Sequence, residues 1–318
     1  MDAQDIRIFC ALAISGPPET VLPTRTPGLR RIASGLGLDE KTVRVRLRRL
    51  EQDGFIKYYQ AAPDLSLLGM TAEVTYRFEA VNVATKLEAL RYAQEQVGMV
   101  EALDFLGASF VVTGAGESLE EATDLGKRIA HRFELDKFEQ GRRTLESSDP
   151  HLTALDWRIV ERMRYDARAP LGEVAGALGI TPRMVRYRLG RIRASAAVTI
   201  RPVIDARRQV GLLVYRLTVT AEAVDRAEVL AGLRRRLGNS IWAVRLSRSG
   251  PLLVDMFGVS LAEPEEALVQ ALEVKGVQSC AVLVLKEICE PPNGGWIDQR
   301  IAALAAGQVG AVRTSSND

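Results

Sequence analysis

The segment ASGLGLDEKTVRVRLRRLE (33–51) returns 142 positions later as AGALGITPRMVRYRLGRIR (175–193). Each copy reads as a small-residue helix, a Leu-Gly turn and an arginine-studded second helix. That is the order of a helix-turn-helix, whose second helix enters the major groove while the first crosses the backbone. Val43, Leu47 and Leu50 repeat at i, i+4 and i+7, as do Val185, Leu189 and Ile192, so each second helix has one buried stripe. At about 100° per residue, Lys41, Val45 and Arg48 lie opposite the first stripe, flanked by Thr42, Arg44 and Arg49. Arg183, Tyr187 and Gly190 lie opposite the second, flanked by Met184, Arg186 and Arg191. Asp39 and Thr181 stand where N-caps belong, each two residues after a glycine, Gly37 or Gly179.

The charge is distributed to match. Residues 1–66 hold 10 basic and 8 acidic side chains and 151–210 hold 12 and 5, whereas 67–149 hold 9 and 15, so a net charge of only +2 conceals two basic heads. Basic heads beside acidic or neutral neighbours suit phosphate neutralisation by the heads alone. Three cysteines, Cys10, Cys280 and Cys289, without a CxxC spacing indicate neither a disulfide framework nor a zinc site. No apolar run reaches about 18 residues and the first residues resemble no signal segment, so a cytoplasmic protein with no membrane partner is expected.

The repeat extends past the heads. MDAQDIRIFCAL (1–12) and LTALDWRIVERM (152–163) share an Asp-x-x-Ile start and read as first helices, with Asp5 matching Asp156. The first copy holds a nine-residue insertion in the proline-rich stretch GPPETVLPTRTPG (16–28), which cannot continue a helix. After each second helix come β-forming segments, 54–61 and 196–203, read as wings or bridging strands. Units opened by Gly69 and Gly211 then alternate apolar and polar residues, as in Ala72, Val74, Tyr76 and Phe78, and continue in the order βαββαβ, the split arrangement of a ferredoxin-like sandwich.

The expected fold is therefore α+β: two tandem repeats, each a winged helix-turn-helix followed by a ferredoxin-like sandwich. The domains fall at 1–66, 67–145, 151–210 and 211–290, with a tail at 291–318. The helix-free faces of the two sheets need apolar partners, and the expected solution is an internal pseudo-dimer with the sheets face to face, able to assemble further as a homo-oligomer.

With these residues in hand, the chain resembles a tandem duplication of the leucine-responsive/asparagine-synthetase regulator (Lrp/AsnC) family over about 1–145 and 152–288. The resemblance rests on MDAQDIRI, on LGITPRMVRYRL and its counterpart, on the Gly69 and Gly211 junctions and on the βαββαβ order. It implies a DNA-binding transcription regulator in which Arg46 and Arg188, each before a buried leucine, join the DNA-contacting set. It also implies an amino-acid effector near the turn joining the second and third sandwich strands, where the family usually has Gly-x-Tyr-Asp. Here that turn reads Gly107, Ala108, Ser109 and Phe110 in one copy, and Arg248, Ser249, Gly250 and Pro251 in the other. Without the acid, an α-amino group loses its obvious partner.

The leading expectation is a non-enzymatic, sequence-specific binder of double-stranded DNA that needs no cofactor. Because Lys41, Thr42 and Val45 differ from Arg183, Met184 and Tyr187, the two heads are expected to prefer different half-sites. One alternative is an enzyme, since siroheme decarboxylases resemble the same head-plus-sandwich fold. Such chemistry wants a histidine in a cleft, and only His131 and His151 exist. Another alternative is a ligand- or partner-binding regulator with one degenerate head. No Gly-rich phosphate loop, nucleophile elbow or metal-spaced histidine pair is present.

Overall fold

The computed structural model describes residues 2–13, 28–146, 151–195, 197–208, 211–222, 225–245 and 250–308. The proline-rich insertion, apart from Gly28, lies outside them, as do Ala196 and Ser249. The first head consists of α1 (Ala3–Ala13), α2 (Gly28–Leu36), α3 (Glu40–Gln52) and β1 (Ile56–Pro63). The first sandwich runs β2 (Ala72–Glu79), α4 (Val83–Gln94), β3 (Met99–Phe105), β4 (Ser109–Gly116), α5 (Leu119–Phe133) and β5 (Asp136–Thr144). The second head is α6 (Ala154–Arg162), α7 (Leu171–Leu178), α8 (Pro182–Ala194) and β6 (Val198–Ile204). The second sandwich is β7 (Leu213–Ala221), α9 (Arg226–Leu237), β8 (Ile241–Arg245), β9 (Leu252–Gly258), α10 (Ala262–Leu272) and β10 (Val277–Cys289), followed by α11 (Trp296–Ala305). Among the described residues no helix is long and apolar enough to cross a membrane.

The alternation in β2 does what its pattern requires. Ala72, Val74, Tyr76 and Phe78 are buried against α4 and α5, while the intervening polar residues face the other way. Gly126 lets α5 come down onto β2, for a Cβ there would lie 2.3 Å from Tyr76 Cδ2. Gly126→Ala is expected to lower stability by about 1–3 kcal/mol, read from the denaturation midpoint, because the ring has no free space to move into.

The copies are interwoven rather than merely stacked. β1 and β6 pair antiparallel from Ile56 opposite Ile204 to Pro63 opposite Val198, so the strand after each recognition helix pairs with its counterpart. Of the wing and bridge readings, the bridging one describes these strands. The two sandwich sheets form one eight-stranded sheet in the order β5-β2-β4-β3-β10-β7-β9-β8. The junction is β3 against the C-terminal part of β10, with Leu285 opposite Phe105 and Cys289 opposite Ala102. Two separate sheets were the sequence-based expectation, and this shared ladder corrects it: β10, at 13 residues, is long enough to pair with β7 and then with β3.

The helix-free faces nevertheless meet. β3 and β8 are four strand steps apart, about 19 Å in a flat sheet, yet Glu101 and Arg245 form an ion pair at 3.1 Å. The sheet therefore curls over itself. Phe105, Val111, Val214, Phe257 and Leu285 share one apolar cluster with the first head, and Phe9 of α1 packs edge-on against Phe55 and Phe257 at 5.4 and 5.8 Å between centroids. The second head shares its core with Leu68, Met70, Ala115 and Leu145 of the first copy and with Trp296, Ile297 and Ile301 of α11. Each head thus docks on the other copy.

Candidate nucleic-acid interface

Both recognition helices, α3 and α8, are built as their spacing demands. Val43, Leu47 and Leu50 are at most 3% exposed and Val185, Leu189 and Ile192 at most 6%. Gly37 and Gly179 hold the turns at φ 66° and 65°, the left-handed region glycine enters without a Cβ penalty. Asp39 caps α3, accepting from the Thr42 amide at 2.7 Å and its hydroxyl at 2.6 Å. The Thr42 hydroxyl bond, then the amide bond, holds the Asp39 carboxyl below its usual range. Thr181 accepts from the Met184 amide at 3.2 Å. Thr42 is thereby engaged in capping and is half-buried, which removes it from the front of the reading face.

The rest of the outward set faces solvent: Lys41, Arg44, Arg48 and Arg49 on α3, and Arg183, Arg186 and Arg191 on α8. Arg44 and Arg49 make only one-turn pairs, with Glu40 at 2.6 Å and Asp53 at 3.5 Å, between half-exposed side chains that exchange partners at little cost. Among the arginines stand Val45, 57% exposed, and Tyr187, 64% exposed, at the same position of the two copies, with Met184 at 42%. Apolar and aromatic side chains held in water inside a basic face suit contact with thymine methyls and base edges.

Arg46 and Arg188 do not belong to that face, contrary to what the family resemblance implies for them. Arg46 Nη1 donates to Asp2 at 2.9 and 2.7 Å and to Asp5 at 2.8 Å, and Asp5 is buried. The bond to Arg46 is the largest influence holding the Asp2 carboxyl below its ordinary range. Arg188 Nη1 donates to the Thr153 hydroxyl at 3.0 Å and reaches the buried Asp156 carboxylate at 3.3 Å. Thr153 and Asp156 form the capping box of α6, so this arginine clamps the start of the first helix to the middle of the third. Asp156→Ala removes the reciprocal half of the capping box and the clamp together and is expected to cost about 1–2 kcal/mol in a thermal melt, while Arg186→Ala leaves the melt unchanged. The signal was present in the sequence: the acid and the arginine recur together in both copies.

The two heads are also fixed to each other. Beyond the β1–β6 ladder, Arg168 of the second head binds Glu51 at the end of α3 at 2.5 Å and lies over the Tyr59 ring at 4.3 Å. Tyr59 donates to the same Glu51 at 2.8 Å.

In the turn singled out for an effector, the first copy's residues are engaged within their own sandwich. Gly107 turns at φ 79° and its carbonyl accepts from buried Lys86 at 2.6 Å. Ser109 donates to Glu79, and Phe110 is fully buried, stacked on Phe78 at 5.0 Å. In the second copy the Gly250 carbonyl accepts from Arg226, and Ser249 lies outside the described residues. The first copy's turn is thus saturated by its own sandwich. His131 sits exposed in the last turn of α5 and His151 exposed ahead of α6. Burial pushes the thiols of Cys280 and Cys289 up, to about 11 and about 12, so both are expected to alkylate slowly at neutral pH in a native thiol titration.

A cleft of about 770 Å³ opens between the first head, β6 and the second sandwich, lined by Phe9, Glu101, Arg201, Ile204, Arg234, Val244, Arg245, Ile288 and Glu290, among others. Sequence reading did not anticipate it, because its walls come from six elements brought together only by the interweaving of the copies.

Comparison with known proteins agrees with this architecture. An AsnC-type helix-turn-helix domain matches residues 152–193, and a winged helix-turn-helix DNA-binding domain matches 29–57. The crystal structure of the siroheme decarboxylase NirDL is similar over 96% of this chain and 99% of that one, at 15% identity and a TM-score of 0.54. Its co-complex with an iron-uroporphyrin III analogue gives 96%, 100%, 15% and 0.52. The structure of E. coli AsnC is similar over 42% of this chain and 91% of that one, at 17% identity and a TM-score of 0.36. Comparison with curated proteins finds no match. The chain carries an AsnC-type helix-turn-helix match in its second head and a winged helix-turn-helix match in its first, on the tandem fold that NirDL has.

Proposed function

We propose that this tandem Lrp/AsnC-type chain is a sequence-specific double-stranded DNA-binding transcription regulator with two unlike reading heads. The observation that carries the reading is the pair of recognition helices. Each holds its buried stripe, caps and internal arginine clamp in the same way and turns to solvent a basic face with an exposed apolar or aromatic side chain at the same position, Val45 or Tyr187. Folding alone gives no reason to keep such side chains in water twice at one position. Arginines supply phosphate and guanine contacts. The fixed head-to-head geometry lets one chain read an asymmetric element, and a homodimer of chains would read a palindrome of such elements. Exchanging Lys41, Val45 and Arg48 for the residues of the second face, and the reverse, is expected to exchange the preferred half-sites in a binding-site selection. An unchanged motif after the exchange would contradict the assignment.

A second reading is an enzyme of the siroheme-decarboxylase kind, favoured by the full-length similarity to NirDL and by the arginines of the cleft. Neither His131 nor His151 lines that cleft, so a histidine-assisted decarboxylation would have to draw its proton from another group. A Soret band on the purified chain would support this reading, and a colourless protein that takes up no iron-uroporphyrin III would count against it.

A further inference from the structure

No described residue of α3 or α8 lines the cleft between the first head and the second sandwich. Its walls divide into two kinds. Phe9, Val203, Ile204, Ile241, Val244 and Ile288 make an apolar surface. Three arginines and two carboxylates are set into it. Arg201 pairs with Glu290 at 3.0 Å and donates from Nε to Gln60 at 3.0 Å. Arg245 pairs with Glu101 at 3.1 Å. Each of these two arginines already faces a carboxylate, so its charge is matched before any ligand arrives. Arg234, on α9 at the rim, is exposed and has no acid partner among the described residues. The wall therefore offers one uncommitted positive charge beside an apolar surface, in a volume within the range for small-molecule sites.

We infer that this cleft binds a small amphipathic monocarboxylic acid, with the carboxylate on Arg234 and the apolar body against Ile241, Val244 and Ile288. The Arg guanidinium suits a carboxylate in two-point contact. Glu101 and Glu290 in the walls disfavour ligands with many negative charges. An occupant would touch α1, the β6 bridge and the second sandwich at once, so it would bear on the placement of the first head.

Glu290 continues outward through a chain of contacts: it accepts from Tyr58 at 3.0 Å, and the Tyr58 ring meets Tyr165 edge-on at 5.8 Å. Tyr165 in turn donates to Asp298 of the C-terminal helix at 2.5 Å, and Asp298 also accepts from Arg164 of the second head at 3.0 Å. The site is thereby connected to both heads.

The test uses the full chain and the fluorescent amphipathic anion 8-anilinonaphthalene-1-sulfonate, with decanoate and neutral decanamide as competitors. Saturable binding is expected, with Arg234→Glu weakening it at least tenfold and Arg235→Glu, one residue along the same exposed turn, leaving it within about twofold. Decanoate is expected to displace the probe at least ten times better than decanamide. Far-UV circular dichroism checks that both variants fold, and Arg234→Gln serves as the milder substitution. Binding indifferent to Arg234→Glu, or equal competition by decanamide, would overturn the site. Displacement by iron-uroporphyrin III at lower concentration than decanoate would overturn the single-acid assignment in favour of a polycarboxylate tetrapyrrole. None of these outcomes depends on whether the chain binds DNA.

Discussion

Replacing Arg44, Arg48, Arg49, Arg183, Arg186 and Arg191 together by alanine is expected to weaken duplex DNA binding more than about a thousandfold at physiological salt, with the melting temperature unchanged. The six side chains are exposed, and among the described residues only Arg44 and Arg49 of them have internal acid partners, each a weak one-turn pair. Their removal therefore acts on phosphate binding and not on the core. Every phosphate that an arginine no longer neutralises should flatten the slope of log K against log salt by about 0.9, so titrations at several salt concentrations measure the number of neutralised phosphates directly. Replacing three arginines in one head is expected to remove about half of that slope and to erase one half of the recognised sequence. An unaltered slope after replacement of the second head's three would favour a chain with one degenerate head.

The largest effect on stability is expected at Asp255. Arg216, 1% exposed, donates to it twice, from Nε at 2.6 Å and Nη2 at 3.0 Å, under the curled sheet and within 5.8 Å of the Phe105 ring centroid. Asp255→Ala leaves that guanidinium buried and uncompensated, a loss of about 3–5 kcal/mol and a large share of the stability of a typical domain. Substituting both partners, Arg216→Met with Asp255→Leu, removes the buried charge and is expected to recover most of the loss. The same pair sets a pH dependence. Burial alone would push the Asp255 carboxyl up, but Arg216, then Arg245, more than offset it and hold it below the ordinary value of 3.8. A depressed folded-state value means that the contribution is complete above the unfolded value and is lost as pH falls through the folded one. Acid denaturation of the wild type should thus begin below about pH 4, whereas the double apolar variant should resist acid longer.

Local features were legible from the sequence because their causes are local. The buried stripes of α3 and α8, the caps at Asp39 and Thr181, the alternation of β2 and the βαββαβ order all follow from periods of 3.6 and 2 and from glycine placement. What was not legible depends on packing between distant segments. The β1–β6 ladder, the β3–β10 junction and the crosswise docking through Phe9 and Trp296 join residues roughly 135 to 250 positions apart, and no periodicity encodes partner choice. At the candidate interface, the outward positions on each helix wheel were readable. Arg46 and Arg188 entered the DNA-contacting set through the family resemblance and not through the wheel, and the acids at the start of each first helix hold their charged ends instead. The cleft left no local trace, since Arg201, Arg234 and Arg245 lie on three different elements, β6, α9 and β8.

Selection of binding sites from a random duplex pool by the intact chain, at near-physiological salt, tests the central claim most directly. The expected result is one enriched motif with two unlike halves at fixed spacing, the first half lost on substituting Arg44, Arg48 and Arg49, the second on substituting Arg183, Arg186 and Arg191. Recovery of duplex without any common motif, or no recovery at all, would contradict sequence-specific recognition by two heads and move the weight to the enzymatic reading of the same fold.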